Sequence, residues 1–381
     1  MWTGPRSRYV GAMRLLRIMP ILVVLLGVSV AGCADESSPP ATDVQRDLDT
    51  LVGAARAGGA ALVVKGAGPE LRVTSGVADK STGAPMRSDQ QVRIGSVTKS
   101  FTAALVLSLV RDGRVDLDAP AERYVPELVS AGSEPAPTVR QVLQHTSGLP
   151  ECTTSRAIMQ SGSGGTEQFT PERILQIAMQ SPRQFRPGEQ MKYTNTNYIV
   201  AGLIASRVSG VPVSRLLQQR IAEPLGLRNT YLPEPGERMI RGPHPTGYWI
   251  GPDGVDTALS DTETSAMGAA GGIVSTPDDL IAFFDALRDG TVLDAATSAQ
   301  LHSAVPMGGR PGLTYGLGLM HATFGCGVQF WGHAGDVPGY TALAGSTSDG
   351  RGVALTITGA VDHDSDMLSV VDRAVCAQKA S

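Results

Sequence analysis

The chain of 381 residues carries a formal charge of −4, with 42% hydrophobic and 5% aromatic residues. No basic run or basic–aromatic interleaving occurs, which argues against a nucleic-acid partner, and the scarcity of aromatics argues against a broad sugar-stacking surface. The length suits one large domain or two that share a core.

Arg6, Arg8, Arg14 and Arg17 flank or precede the apolar stretch Ile18–Val30. That stretch is too short to cross a bilayer comfortably, and small residues follow it, the order of an export signal. VAGC at Val30–Cys33 resembles a bacterial lipobox. The resemblance implies a signal peptide over residues 1–32 and acylation of the Cys33 thiol. Several acyl chains would then hold the exported chain at the outer face of the cell membrane, in the cell envelope. Residues 33–43 are polar, rich in Ser and Pro and without apolar period, and are expected to be a flexible tether.

Val44–Ala57 has the apolar spacing of an amphipathic helix. GGAALVVKG and ELRVTSGVAD read as two strands joined at Ala67–Pro69. A helix opening at Ser96 is apolar nearly all round, through Val97, Phe101, Ala104 and Leu105 on one side and Ala103, Leu107 and Val110 on the other, so it is expected to be buried. Gly113 suits its C′ position. Residues 114–264 read as mostly helical with long loops, with helices at Thr138–Gln144, Pro171–Gln180, Asn195–Val208 and Pro212–Ile221. From Ser265, AAGGIVST leads into a helix at Pro277–Arg288, with Thr276 as N-cap and Asp278 and Asp279 in the first turn. The runs YGLGLMHAT, VQFWGHA, YTALAGS and GVALTITG read as strands, and Met367–Ala377 as a final helix. The expected fold class is α/β (α+β). Residues 44–113 and 265–381 would form an antiparallel sheet domain flanked by helices, residues 114–264 a mostly helical insertion, and the active site would lie between them. Outside the cell a disulfide among Cys152, Cys326 and Cys376 can persist. A Cys326–Cys376 bridge would close a loop of roughly 50 residues, worth about 4 kcal/mol in the chain-entropy model, but spacing leaves the pairing open.

Only five lysines occur (65, 80, 99, 192 and 379), and one stands in S-V-T-K at Ser96–Lys99. Positions i and i+3 share a helix face. A serine hydroxyl needs a base to take its proton. A lysine serves once burial has favoured its neutral form; an arginine never does. Two further motifs follow: Y-T-N at Tyr193, Thr194 and Asn195, and H-A-G at His333, Ala334 and Gly335.

With these three motifs the chain resembles the serine β-lactamase and penicillin-binding-protein superfamily, in its class C β-lactamase, D-alanyl-D-alanine carboxypeptidase and esterase branch. HTSGLP (His145–Pro150), FRPGEQMKYTN, EPLGL (Glu223–Leu227) and AAGGIVST also look like that branch, over about Val44 to Ala377. The resemblance implies a β-lactamase/transpeptidase-like fold and a set of roles. Ser96 would be the acylated nucleophile. Lys99 and Tyr193 would take its proton and pass it to the leaving group. Asn195 would orient Lys99 and the substrate, and His333 would help hold the Tyr193 hydroxyl and the incoming water. The backbone N–H groups of Ser96 and Asp336 would form the oxyanion hole, where one donor contributes about 3 kcal/mol. It also implies the Cys326–Cys376 pairing. His145 is expected to fix a loop. His244, His302, His321 and His363 show no metal spacing and no H-E-x-x-H occurs, so neither metal nor other cofactor is expected.

Three substrate-facing positions depart from the pattern. Ala334 stands where the branch has a hydroxyl, and Met320 where a carboxypeptidase of the branch has an arginine for a terminal carboxylate, with His321 next to it. Asp336 adds an acid beside the oxyanion hole. Losing two charge-assisted hydrogen bonds at about 1.5–3 kcal/mol each would weaken a carboxylate-bearing substrate. The expected activity is therefore that of an envelope-anchored serine acyl-hydrolase on a small or peptide-like ester or amide. The alternatives are a D-alanyl-D-alanine carboxypeptidase or β-lactamase, and a lipid-anchored binding protein without catalysis.

Overall fold

GAALVVK at Gly59–Lys65 is buried over its first six residues. A strand apolar on both faces has to be covered on both, which makes it central in a layered structure. The computed structural model describes residues 39–128, 135–162, 165–250, 256–259, 261–359 and 364–377. The expected signal peptide, Cys33 and His363 lie outside the described residues.

The strands are β1 (Gly59–Lys65), β2 (Leu71–Asp79), β3 (Ala84–Pro85), β4 (Val92–Arg93), β5 (Tyr248–Ile250), β6 (Asp256–Ala258), β7 (Val274–Ser275), β8 (Val305–Pro306), β9 (Thr314–Tyr315), β10 (Met320–Thr323), β11 (Gln329–Val337), β12 (Tyr340–Thr347) and β13 (Gly352–Ile357). The helices are α1 (Pro39–Ala54), α2 (Thr98–Arg111), α3 (Val139–Leu143), α4 (Arg156–Gly162), α5 (Pro171–Ala178), α6 (Asn195–Ser209), α7 (Val213–Leu217), α8 (Glu223–Leu225), α9 (Gly268–Gly271), α10 (Pro277–Arg288), α11 (Ala295–Leu301) and α12 (Asp364–Ala377). Among the described residues, nine strands form one sheet in the order β3-β2-β1-β13-β12-β11-β10-β9-β8. The first long strand therefore pairs with the last, antiparallel, with Leu62 opposite Leu355. Side chains alternate between the two faces. Leu62 and Val64 join Leu48, Leu51, Val371 and Val375 of α1 and α12 in one core. Val63 joins Phe101 and Phe283 of α2 and α10 in the other, where those two rings stack at 3.6 Å.

Every residue of α2 from Thr98 to Leu109 is buried, so its apolar circumference reflects packing on all sides. The helix begins at Thr98, not Ser96; a 3₁₀ turn, Gly95–Val97, precedes it. The first helix begins at Pro39, so residues 39–43 are helical where a tether was expected. Proline tolerates the first turn, whose N–H groups have no helical partner anyway. That helix also ends before Ala57, because Arg56 turns left-handed (φ 48°) and Ala57 N–H donates back to Val52 O. YGLGLMHAT is two strands, β9 and β10, since Gly316 N–H donates to Leu319 O across a turn. The two-residue strands and the β5–β6 hairpin are too short to show a period in sequence.

Cys326 and Cys376 are bridged across 50 positions, tying the β10–β11 turn to α12; Cys152 is free and buried. Replacing both bridged cysteines by serine should cost about 2–5 kcal/mol. Urea unfolding of the oxidised protein and the double variant checks this, and equal midpoints would contradict it.

Candidate active site

The site is assembled around the 3₁₀ turn that carries Ser96. Two hydrogen bonds fix that turn to Ile273, the residue before β7: Ile94 N–H donates to Ile273 O at 3.0 Å, and Ile273 N–H donates to the Thr98 side-chain Oγ1 at 3.1 Å. Gly95 has φ +51°, the left-handed region that favours glycine. A Cβ on Gly95 would lie 2.7 Å from Asp336 N, and one on Gly335 would lie 2.1 Å from Ile94 O and 2.5 Å from Ser96 N. The missing Cβ atoms let strand β11 and the turn meet backbone to backbone. The amides of Ser96 and Asp336, the expected oxyanion donors, are thereby brought to one edge of the cleft.

Lys99 is wholly buried. Its Nζ lies 2.8 Å from Ser96 Oγ, 2.8 Å from Asn195 Oδ1 and 2.7 Å from Ala270 O. The last two atoms can only accept. A neutral amine has two N–H bonds and one lone pair. It would donate to Asn195 and Ala270 and turn the lone pair on the Ser96 hydroxyl. Burial lowers the Lys99 pKa to about 7, opposed chiefly by the negative charge of Glu151.

Tyr193, half-buried, has its ring centroid 4.9 Å from Lys99 Nζ and lies against His145 at 4.2 Å between centroids. His145 ties down the segment that carries Tyr193. Its carbonyl accepts from Lys192 N–H, and its Nδ1 lies 3.3 Å from Thr194 N and 3.0 Å from Asn197 Nδ2. Asn195 is the first residue of α6. His333 lies in β11 with Nε2 3.0 Å from the Tyr315 hydroxyl and Nδ1 on the Ala334 carbonyl. Its ring centroid is 6.3 Å from that of Tyr193. Tyr315 is thus a partner that sequence reasoning did not assign to His333; β9 brings it opposite Met320, itself opposite Gly332. Burial, reinforced by Lys99, pushes His333 down to about 3 and His145 well below the usual imidazole range. Both rings are neutral at physiological pH.

A cleft of about 350 Å³ opens over these groups, lined by Ser96, Tyr193, His333, Ala334, Gly335 and Asp336. Met320 lines it too and shares an apolar wall with Met191 and Met307. The lining includes two cations that sequence reasoning missed, Lys192 and Arg310. Glu151 was missed as well. It follows HTSGLP directly, and its carboxylate accepts from Asn195 N–H at 2.8 Å. Among the described residues, the one group of His, Cys, Asp or Glu side chains close enough to share an ion is Cys326, Asp372 and Cys376, and the disulfide consumes its sulfurs.

The profile of the Beta-lactamase family matches residues 44–374. Among solved structures, a D-stereospecific amidohydrolase from Streptomyces sp. is 31% identical, with a TM-score of 0.80 over 89% of this chain and 99% of that one. D-amino acid amidase from Ochrobactrum anthropi SV3, complexed with L-phenylalanine amide, is 31% identical, with a TM-score of 0.75 over 89% and 98%. Esterase EstB from Burkholderia gladioli is 30% identical over 181 residues, 45% of this chain and 46% of that protein. The chain thus spans about half the length of this curated relative.

If the Lys99 amine is the base, acylation of Ser96 should rise with pH through about 7 and then level off, because the amine is neutral only above its pKa. The rate of labelling by a fluorophosphonate probe, followed from pH 5 to 9, checks this. A flat profile would contradict it.

Proposed function

Because the chain belongs to the Beta-lactamase family and has a β-lactamase/transpeptidase-like fold, we propose that it is a serine acyl-hydrolase working through a covalent acyl-enzyme on an ester or amide. The observation that carries this reading is the Lys99 amine, 2.8 Å from Ser96 Oγ with its remaining partners unable to donate.

The chemistry balances with these groups alone. Ser96 Oγ forms a bond to the substrate carbonyl carbon, and its proton passes to the neutral Lys99 Nζ. The carbonyl π-electrons move to oxygen, where the Ser96 and Asp336 amides stabilise the charge. The tetrahedral intermediate collapses, and the leaving group departs with a proton relayed through Tyr193 from Lys99. A water then attacks the acyl-enzyme, its proton goes to the same base pair, and the free acid leaves as Ser96 regains its hydrogen. His333 stays neutral and holds Tyr315 at the back of the site.

The methionine wall suits an apolar substituent, since methionine adapts to irregular shapes. The similar amidohydrolase and D-amino acid amidase support D-amino acid amides as candidates, and the esterase relative supports esters. One observation favours a second reading. Arg310 lines the cleft and offers a guanidinium to a carboxylate-bearing substrate, such as a D-alanyl-D-alanine peptide or a β-lactam. Envelope anchoring through acylated Cys33 belongs to the same proposal and rests on the VAGC pattern; a Cys33→Ala chain should leave the membrane fraction.

A fluorophosphonate probe should label the folded protein, and Ser96→Ala should abolish labelling. Turnover of p-nitrophenyl esters, D-amino acid amides, a D-alanyl-D-alanine peptide and nitrocefin then ranks the substrates. Esters or amides should lead. Efficient release of terminal D-alanine, lost on Arg310→Ala, would establish the second reading. Absence of labelling in well-folded protein would sink the enzyme altogether and favour a binding lipoprotein.

A further inference from the structure

Glu151 is a largely buried carboxylate that the mechanism above does not use. It sits at the start of a 3₁₀ turn, Cys152–Thr154, which is strapped to the first turn of α6. Thr196 Oγ1 donates to Pro150 O at 2.6 Å and accepts from Cys152 N–H at 2.9 Å. One Glu151 oxygen, Oε2, accepts from Asn195 N–H at 2.8 Å. The other, Oε1, accepts from Asn195 Nδ2 at 3.3 Å and from Thr153 N and Oγ1 at 2.9 and 2.8 Å.

We propose that Glu151 is a positioning residue for the catalytic base, holding the Asn195 amide so that its carbonyl oxygen faces Lys99. This rests on the acyl-hydrolase reading above for its consequence, but not for its geometry. A side-chain amide has a donor end and an acceptor end. With Nδ2 on a carboxylate, Oδ1 is the end left for Lys99 Nζ at 2.8 Å. Were the amide reversed, its N–H would point at the lone pair of the neutral amine. That lone pair is what must receive the Ser96 proton. Glu151 thus keeps the base open to one donor.

Glu151 also acts through charge. The titratable groups facing the Lys99 amine are Glu151 and Cys152 from the 3₁₀ turn, His145 after α3, Tyr193 and Tyr198 before and within α6, and His333 from β11. Of these, the Glu151 carboxylate has the largest opposing effect to burial. Removing its charge lowers the Lys99 pKa further, so the acid limb of the pH–rate profile moves to lower pH.

The test uses Glu151→Gln and Glu151→Asp in the full chain, with a p-nitrophenyl ester as probe. Glu151→Gln should lower kcat about 10- to 100-fold with little change in KM and shift the acid limb down by about one pH unit. In an Asn195→Ala background, Glu151→Gln should add almost nothing to the loss of kcat, while still moving the acid limb. Glu151→Asp keeps the charge but loses reach, so its limb should stay near that of the unaltered protein while kcat falls. An unmoved limb and unchanged kcat in folded Glu151→Gln would overturn the proposal. So would an equal loss in the Asn195→Ala background. If Glu151→Gln does not fold, kcat in Glu151→Asp decides, and a value equal to that of the unaltered protein overturns it. A readout without turnover separates this from failure of the acyl-hydrolase reading. With only five lysines in the chain, 13C-labelled lysine resolves the buried amine by NMR, and its titration should shift on Glu151→Gln whether or not any substrate is hydrolysed. No shift overturns the proposal.

Discussion

A lysine amine with no exposed surface must either keep its proton at a large desolvation cost or give it up. The rest of the site is arranged around that constraint. Three oxygens meet Lys99 Nζ, and they come from three places distant in the chain: Ser96 in the 3₁₀ turn, Asn195 at the start of α6 and Ala270 in α9. Each is held by its own support. Thr98 ties the turn to Ile273, Glu151 grips Asn195, and Thr102 Oγ1 donates to Ala269 O at 2.7 Å, seating α9 on α2. Small residues in α9 let that backbone approach closely enough to offer its carbonyls.

The sheet supplies the other half of the chemistry. Strand β11 is long and central, so its position is set by eight residue pairs with β12, from Phe330–Thr347 to Val337–Tyr340. That strand, with two glycines where it meets the Ser96 turn, brings the backbone of Asp336 close to that of Ser96, the arrangement that oxyanion stabilisation needs. His333, which lines the cleft, and His145, which packs on Tyr193, are buried near a lysine and stay neutral. They act as hydrogen-bonding and packing groups, and in the proposed mechanism the proton traffic falls to Lys99 and Tyr193. The cleft lining carries mixed charge, Lys192 and Arg310 together with Asp336, from side chains that share no element.

Much of this is legible in the amino-acid sequence alone. The buried helix at α2, the helices α5, α6 and α10, and the long strands β1, β2, β11, β12 and β13 all carry a period or an unbroken apolar run. The elements that sequence reasoning missed are short. Two residues of β4, β7, β8 or β9 contain no pattern, and β4 pairs with β7 far along the chain. The start of α1 was misplaced because polar residues with two prolines describe a tether and a first helical turn equally well. Within the site, Ser96, Lys99, Tyr193 and Asn195 stood out because their motifs are local. Glu151, Tyr315 and Arg310 did not, since no spacing rule links an acid after a loop motif to an asparagine 44 residues on.

The amino-acid sequence determined which chemistry was available: one lysine three residues after a serine on an apolar helix, a tyrosine and an asparagine two apart, and glycines where backbones must touch. Those choices are local, because helix periodicity, left-handed backbone and acid–base capacity are properties of single residues or one turn. Only the tertiary structure decided that the amine is dry, that Ala270 and Asn195 are its acceptors, that Tyr315 holds His333, and that Arg310 and Asp336 line one cleft. Burial and electrostatics sum over neighbours from every part of the chain, and no stretch of sequence contains that sum.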